Sequence, residues 1–453
     1  MAFASLPAKG LARRAAAALV AVGLAAALAG CADRTVSERP RTAQPAAEPP
    51  PRLSEAPLAP PPGAPPGMPA KPKETKVALL LPLSGNAAAL GRSMQNAAQL
   101  ALFDAADETL SLRFHDTGDT ADGARVAAQR AVDDGAALIL GPVFAGSVSA
   151  VTPVARGAGV NVVAFSNTRS VAGPGTYLLG LMPRQQVVRA VAYAAEQGAR
   201  RFAALVPETA FGRQVAGDFR DAVASAGGAV AKVQFYPADQ RDLADVLRRL
   251  TGATGQPPRG PVARPYDPVP SVAGRAAVAA AQAEADEPTP PPDPGFDALY
   301  LPEAGQRLLS IATLLPYYNV DPKTVRLLGM AAWQDPALGR EPALAGGTFA
   351  APDPAPIAEF QARYREAFGG APDPLASLAY DATALAAVLA NRLGGPDFSS
   401  AALTGPSGFA GASGLFRLLP TGEGERGLAV LAVQPTGFDV VDPAPQSFAT
   451  VGQ

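Results

Sequence analysis

Short, continuously apolar runs alternate with helix-patterned segments through most of this chain, and that alternation limits the fold more than any other feature. The first unit is Val77-Ala78-Leu79-Leu80-Leu81, closed by Pro82-Leu83-Ser84-Gly85 and followed by a helical pattern from Gly91 to Ala106. Strand-like and helix-like segments then follow in turn: Leu110 to His115 and Ala121 to Asp134; Ala137 to Leu140 and Ser147 to Gly157; Val160 to Ala164. The order resumes with Phe202 to Val206 and Gly212 to Ala226; Ala229 to Phe235 and Asp242 to Leu250; Ala298 to Leu301 and a helix through Ile311; then Val325 to Leu328. Runs that are apolar at every residue belong to strands covered on both faces, as in parallel sheets with helices packed on either side. Right-handed crossovers then give an α/β fold. Roughly ten such units are too many for one sheet, so two doubly wound lobes are expected. In folds of this kind a ligand sits in the crevice off the carboxyl ends of the strands.

The start of the chain reads as an export signal. Arg13 and Arg14 precede an apolar stretch, Ala15 to Leu28, that is short for a membrane span, and Leu28-Ala29-Gly30-Cys31 ends it. The expectation is a lipoprotein signal over residues 1–30, with Cys31 as the lipid-carrying N-terminus; the alternative is an ordinary secretory signal cut near Gly30. Acyl chains buried at ~0.8 kcal/mol per CH₂ make such anchoring effectively permanent. Cys31 is the one cysteine of the chain, so no disulfide is available and stability must come from burial.

Proline marks the linkers. From Ser37 to Lys73 the chain is Pro, Ala and Glu with little apolar periodicity, a composition that cannot fold and stays extended. At ~3.1 Å per residue, roughly 35 such residues would hold the folded body up to ~100 Å from the anchor. Thr251 to Pro294 reads as a second, mostly disordered insertion, with an Ala-rich piece from Arg275 to Ala285. The expected organisation is therefore signal 1–30, lipidated tether 31–75, a bilobal body 76–441 and a tail 442–453. One lobe would hold 76–181 and 352–420, the other 182–351 and 421–441 with the insertion 251–294.

Composition excludes several classes of function. Lys and Arg number 38 against 40 Asp and Glu, without blocks of like charge, so neither nucleic acid nor a polybasic membrane contact is expected. His115 is the single histidine and lies in an expected strand, where a satisfied structural role suits it better than that of a catalytic base. No Cys/His cluster offers zinc ligands, and G-x-S-x-G is absent. Gly422-Glu423-Gly424-Glu425-Arg426-Gly427 fits G-x-G-x-x-G but precedes a strand and carries two glutamates, so it reads as a hairpin turn between Leu415–Leu419 and Leu428–Val433. The chain is expected to be non-enzymatic, without metal or cofactor.

Several motifs in order carry a family likeness. The opening Val77 to Gly85 with Gly91-Arg92-Ser93-Met94-Gln95-Asn96-Ala97-Ala98, then Leu140-Gly141-Pro142, Val162 to Thr168, Phe211-Gly212, Leu301-Pro302-Glu303-Ala304-Gly305-Gln306 and Ala379-Tyr380-Asp381-Ala382 resemble the type I periplasmic-binding-protein superfamily, in its leucine/isoleucine/valine-binding branch. The resemblance implies two lobes crossed by three hinge segments, closing on a ligand. It also implies candidate ligand residues Ser84, Ala145, Ser147, Ser166, Asn167, Thr168, Phe211 and Glu303. Amino-acid receptors of the family hold the ligand carboxylate with hydroxyls and backbone N–H groups at a helix N-terminus, and its ammonium with an acidic side chain; Thr168 and Glu303 match those roles. The serine of the first loop corresponds to Ala145, with Ser147 two residues on, and the aromatic before Gly212 is Phe211 rather than tyrosine. Each candidate also has a plain structural reading: Glu303 in the first turn of a helix, Ser166 and Thr168 in turns or caps, Phe211 in packing, Tyr380 and Asp381 in packing and capping.

Two functions fit this outline. One resembles the penicillin-binding protein activators, outer-membrane lipoproteins whose body of this fold stimulates a peptidoglycan synthase; Ala32 after Cys31, without the aspartate that retains lipoproteins at the inner membrane, and the long tether favour it. The alternative is a receptor that delivers an amino acid or similar small molecule to an ABC permease.

Overall fold

The computed structural model describes residues 74–107, 109–253 and 292–448. The signal, Cys31, the proline-rich tether, the Ala-rich piece at Arg275–Ala285 and the last five residues lie outside them.

The first lobe is built on a parallel sheet ordered β2-β1-β3-β4-β5, from β1 (Thr75–Leu81), β2 (Leu110–Asp116), β3 (Leu138–Leu140), β4 (Asn161–Ala164) and β5 (Thr176–Leu178). Helices α1 (Ala88–Ala105), α2 (Ala121–Asp133) and α3 (Ala145–Gly157) connect the strands. Alternation along β1 explains the continuous apolar run. Val77, Leu79 and Leu81 enter one core with Met94 and Ala98 of α1, whereas Ala78 and Leu80 enter another with Ala124 and Ala128 of α2 and Val148 of α3.

After α4 (Pro183–Glu196) the second lobe repeats the plan with β6 (Arg201–Pro207), α5 (Ala210–Ser225), β7 (Ala229–Tyr236), α6 (Leu243–Thr251), β8 (Ala298–Tyr300), α7 (Gly305–Ala312), β9 (Arg326–Met330) and β10 (Thr348–Ala351). Its sheet runs β15-β14-β10-β9-β8-β6-β7, closed by antiparallel β14 (Ala429–Gln434) and β15 (Gly437–Asp442). Strand β6 divides its side chains as β1 does: Ala203 and Leu205 face the α6/α7 layer, and Phe202, Ala204 and Val206 face α4 and α5.

The chain then returns to the first lobe through α8 (Pro354–Phe368), α9 (Ala376–Ala390) and α10 (Ser400–Leu403), followed by a small antiparallel sheet of β11 (Phe409–Gly411), β12 (Gly414–Leu418) and β13 (Gly424–Arg426). Helix α9 packs between α1 and the sheet and buries 14 of its 15 residues. The expected hairpin is corrected here: β12 pairs with β13, not with Leu428–Val433, and the chain after Arg426 crosses to β10 in the other sheet. The crossings between sheets therefore fall at Leu179–Met182, Pro352–Asp353 and Gly427–Leu428.

The margins of the expected disordered insertion are ordered. Thr251 ends α6, Ala253 is buried, and Asp293 pairs with Arg201 at 2.8 Å beside an Arg201–Asp297 contact of 2.8 Å. Buried Ala253 and this two-aspartate clasp hold both ends of the loop, although composition alone reads as linker there. Among the described residues no helix is long and apolar enough to cross a membrane.

Candidate functional site

The strand ends of the first lobe carry three loops. The loop after β1 is fixed by Asp116 at the end of β2, whose Oδ1 accepts from the Leu83 N–H at 2.9 Å and the Ser84 N–H at 3.2 Å, leaving Ser84 exposed. After β3, Phe144 occupies the N-cap of α3 without a side-chain bond, so the first N–H groups of the helix, those of Ala145, Gly146 and Ser147, are left without a capping partner. This differs from α2 and α5, where Thr120 and Thr209 accept from the Gly123 and Gly212 N–H groups at 3.0 and 3.1 Å. Phe144 is 41% exposed, whereas Ser147 is buried. After β4, buried Ser166 accepts from the Thr168 N–H at 3.2 Å, a turn-forming role; Asn167 is exposed, and Thr168 begins a 3₁₀ turn at Arg169–Val171 without using its hydroxyl as a cap.

In the second lobe Phe211 is the second residue of α5, 40% exposed, just after exposed Glu208 and the Thr209 cap. Glu303 follows β8 and precedes the N-cap Ala304, so it lies outside the first turn in which the sequence places it. Its surroundings are closed. The fully buried Tyr236 hydroxyl donates to Oε1, Arg307 Nε lies 3.3 Å from Oε2, and Trp333 Nε1 donates to the Glu303 carbonyl at 3.0 Å. Burial, then the adjacent Glu303, pushes the Tyr236 phenol up, so it remains a donor throughout the accessible pH range. Glu303 thereby joins the ends of β7 and β8 to the loop after β9.

Other polar groups lie deeper. Asp381, sixth residue of α9, is fully buried and caps nothing. Its Oδ1 accepts from the Ala412 N–H at 2.6 Å, and Oδ2 takes the Ser413 hydroxyl and lies 3.4 Å from Arg426 Nη1. Arg426 also donates to Ser413 Oγ at 3.0 Å and to the Leu179 carbonyl at 3.1 Å, so its side chain ties the third crossing to the first. Its own N–H donates to Gln185 of α4 at 3.1 Å. Tyr380 donates to Asp104 at 2.7 Å and accepts from Arg363 at 2.8 Å, which is packing with hydrogen bonds rather than a ligand contact. His115 departs from the expectation of a satisfied histidine: half-buried on β2, its enclosed Nε2 has no hydrogen-bond partner and lies 3.7 Å from the Asp134 carboxylate, too far for a hydrogen bond.

The structure thus gathers Ser84, Ala145, Ser147, Ser166, Asn167 and Thr168 at the strand ends of one lobe, and Phe211 and Glu303 at those of the other. Sequence reasoning missed Phe144, Tyr236, Arg307 and Trp333. Arg307 had a readable signal in its i, i+4 spacing from Glu303. A concavity of about 460 Å³ lined by Ala192, Ala195, Glu196, Arg200, Ala226 and Gly227 lies at the opposite end of α4 and α5 and takes no part in this arrangement. Among the described residues no group of three or more His, Cys, Asp or Glu side chains is placed to hold a metal ion.

Two doubly wound lobes, crossed three times and presenting loops from parallel strand ends, define a bilobal binding protein of the type I class. Residues 74–437 match the sequence family described as "Periplasmic binding protein", and the chain belongs to that family. A crystal structure described as a branched-chain amino acid ABC transporter from Rhodospirillum rubrum superposes with a TM-score of 0.65 at 23% identity, over 81% of this chain and 100% of that one. A solute binding protein of an ABC transporter from Rhodopseudomonas palustris BisB5, solved in complex with 3,4-dihydroxy benzoic acid, gives 0.54 at 19% identity, over 84% and 98%. At these identities the likeness is one of fold. Among curated proteins, the uncharacterized protein RP748 of Rickettsia prowazekii (strain Madrid E) is 21% identical over 179 residues, 40% of this chain. The match spans about half of that relative, 48% of its length.

Proposed function

We propose that this protein is an envelope solute receptor that hands a small molecule to an ABC permease, acting by binding and lobe closure rather than by catalysis. The observation that carries the reading is the pairing of half-sites. One lobe offers an uncapped α3 N-terminus beside the Ser166–Thr168 turn, the other an exposed Phe211 at the start of α5, and both stand at strand ends. Relatives of the same fold carry names of ABC transporter proteins, which supports this partner class. Cys31, outside the described residues, would anchor the receptor to a membrane through lipid.

One observation favours a second reading, a regulator of peptidoglycan synthesis resembling the penicillin-binding protein activators and held at the outer membrane. Glu303 is engaged by Tyr236 and Arg307, so the site retains less of the amino-acid receptor's chemistry than its sequence suggests. Affinity purification of the full chain from detergent-solubilised membranes separates the two. Recovery of an ABC permease supports the receptor; recovery of a peptidoglycan synthase without a permease refutes it in favour of the regulator.

A further inference from the structure

We propose that the end of the first lobe remote from the cleft is a lipid-contact surface, with Phe103 and Leu393 as the two apolar side chains that enter the membrane when the body lies against it. The inference concerns how the body is held and does not depend on which ligand or protein partner it serves.

Two side chains stand apart from the rest of the surface. Phe103, in the last turn of α1, is 83% exposed, and Leu393, in the loop after α9, is fully exposed; the other exposed large apolar side chains among the described residues stand at 37–42%. Half-covered apolar residues are ordinary on a protein surface, but nothing in the described chain covers either of these two. Local structure holds both outward. Phe103 stands opposite the buried Ala97, Ala98 and Ala101 of α1, and Leu393 precedes Gly394 and Gly395, whose φ values of 102° and 106° turn the loop as only glycine does without strain.

Hydrogen bonds place the pair at the point where the chain enters the fold. Asp107, one turn past Phe103, accepts from the Asn391 amide at 2.9 Å, two residues before Leu393. It also accepts from the Thr109 N–H at 2.8 Å, and the Thr109 carbonyl accepts from the Thr75 N–H at 2.8 Å. Thr75 opens β1, so the chain arriving from Cys31 joins the body two hydrogen-bonded steps from the apolar pair, at the strand starts and opposite the loops of the candidate site. That junction decides the occupant: of all the body, this end is nearest along the chain to a lipid-linked Cys31. Two side chains alone bind lipid weakly, but a tether holds them at an effective concentration of up to roughly millimolar, which populates a weak contact. The neighbouring charges are already paired. Asp104, next to Phe103, meets Arg363 at 3.0 Å, and Arg392, next to Leu393, faces Asp397 at 3.5 Å. The contact is therefore apolar rather than an attraction to anionic headgroups.

The test reconstitutes the lipid-anchored full chain in phosphatidylcholine vesicles, with or without bromine on the acyl chains, and introduces a fluorescent reporter by Phe103→Trp, Leu393→Trp or, as a control in the second lobe, Tyr317→Trp. The native Trp333 is fully buried and supplies a constant background. Bromine should quench the first two reporters at least twofold more than the control, equally in dilute and in concentrated salt. Quenching no greater than the control overturns the proposal, as does quenching lost in concentrated salt, which marks a charge-driven contact. A blue shift without bromine quenching places a protein surface, such as a second copy of this chain, on the patch and refutes the lipid occupant. Intact mass reports the lipid on Cys31 separately: a chain without it lacks the tether and overturns the proposal, while leaving the reading of the cleft untouched.

Discussion

Replacing Arg426 by methionine keeps an unbranched, apolar stem and removes the charge that faces Asp381. In the native chain the guanidinium donates to Ser413 Oγ at 3.0 Å and the Leu179 carbonyl at 3.1 Å, lies 3.4 Å from Asp381, and sits over the Phe416 ring at 5.3 Å. The variant leaves a fully buried carboxylate with the Ala412 N–H and the Ser413 hydroxyl but no positive charge. Removing one member of a buried ion pair destabilises by about 3–5 kcal/mol. At ~2–4 °C per kcal/mol, the melting temperature should fall by ~6–20 °C. The sign of the pH dependence follows from the pair. Burial already pushes the Asp381 carboxyl up against the pull of Arg426, and without the arginine it rises further. A carboxyl whose folded pKa is raised incurs no penalty when protonated, and loses stability as pH rises from the unfolded value through the folded one. Arg426→Met should therefore be closest to wild type in acid and furthest from it above neutrality. Adding Asp381→Asn removes the orphaned charge and should recover part of the loss, because the two sites act as one unit. Differential scanning calorimetry of the wild type, Arg426→Met, Asp381→Asn and the double variant at pH 5 and pH 8 measures this. An Arg426→Met protein within ~2 °C of wild type, or a double variant worse than the single one, would refute the reasoning.

Two further outcomes follow from the lobes themselves. Burial holds the His115 imidazole below its ordinary 6.5, against the opposing pull of Asp134 and with help from Arg130. The folded state thus resists protonation, and stability should be level above about pH 6.5 and decline below it as the unfolded chain takes up the proton. His115→Gln should flatten that decline in melting temperature between pH 7.5 and 5.5, and equal slopes would contradict the assignment. A Cβ at Gly212 would lie 1.9 Å from the Pro207 carbonyl oxygen, so Gly212→Ala must push α5 off the end of β6; the expected loss, about 1–3 kcal/mol by chemical unfolding, exceeds the gain in helix propensity, and a stabilised variant would show that the approach is looser than described.

Strands β1, β6 and β8 were legible because Val77–Leu81, Phe202–Val206 and Ala298–Tyr300 are apolar throughout and each is followed by a periodic segment; the short parallel strands β5 and β10, each opening on a threonine, carry no such run and were not read. Helix α9 was not legible, for a physical reason. Buried on nearly all sides, it has no polar face, so the 3.6-residue contrast that betrays a surface helix is missing. Arg426 was equally hidden. Its sequence context, Gly-Glu-Gly-Glu-Arg-Gly, is that of a solvated turn, and only the crossing of the chain between sheets places its side chain against Asp381, 45 positions away. At the candidate site the sequence offered residues but not their partners: Thr168 does not use its hydroxyl as a cap, whereas the Glu303 carboxylate is engaged by Tyr236 and Arg307.

Glu303 shows why. An acidic residue just after a strand in a doubly wound fold stands where ligands bind, and also where neighbouring loops have backbone and side-chain donors to satisfy. Sequence spacing shows Arg307 four residues on, but gives no view of Tyr236, separated by 67 positions and brought alongside because β7 and β8 flank β6 in one sheet. Had position 236 been phenylalanine, Oε1 would have lacked its buried donor and the carboxylate would have been more available to a cation from the cleft. The tyrosine therefore engages a glutamate in another strand loop. In this chain, which strand-end groups are already paired is a property of sheet order rather than of any local motif.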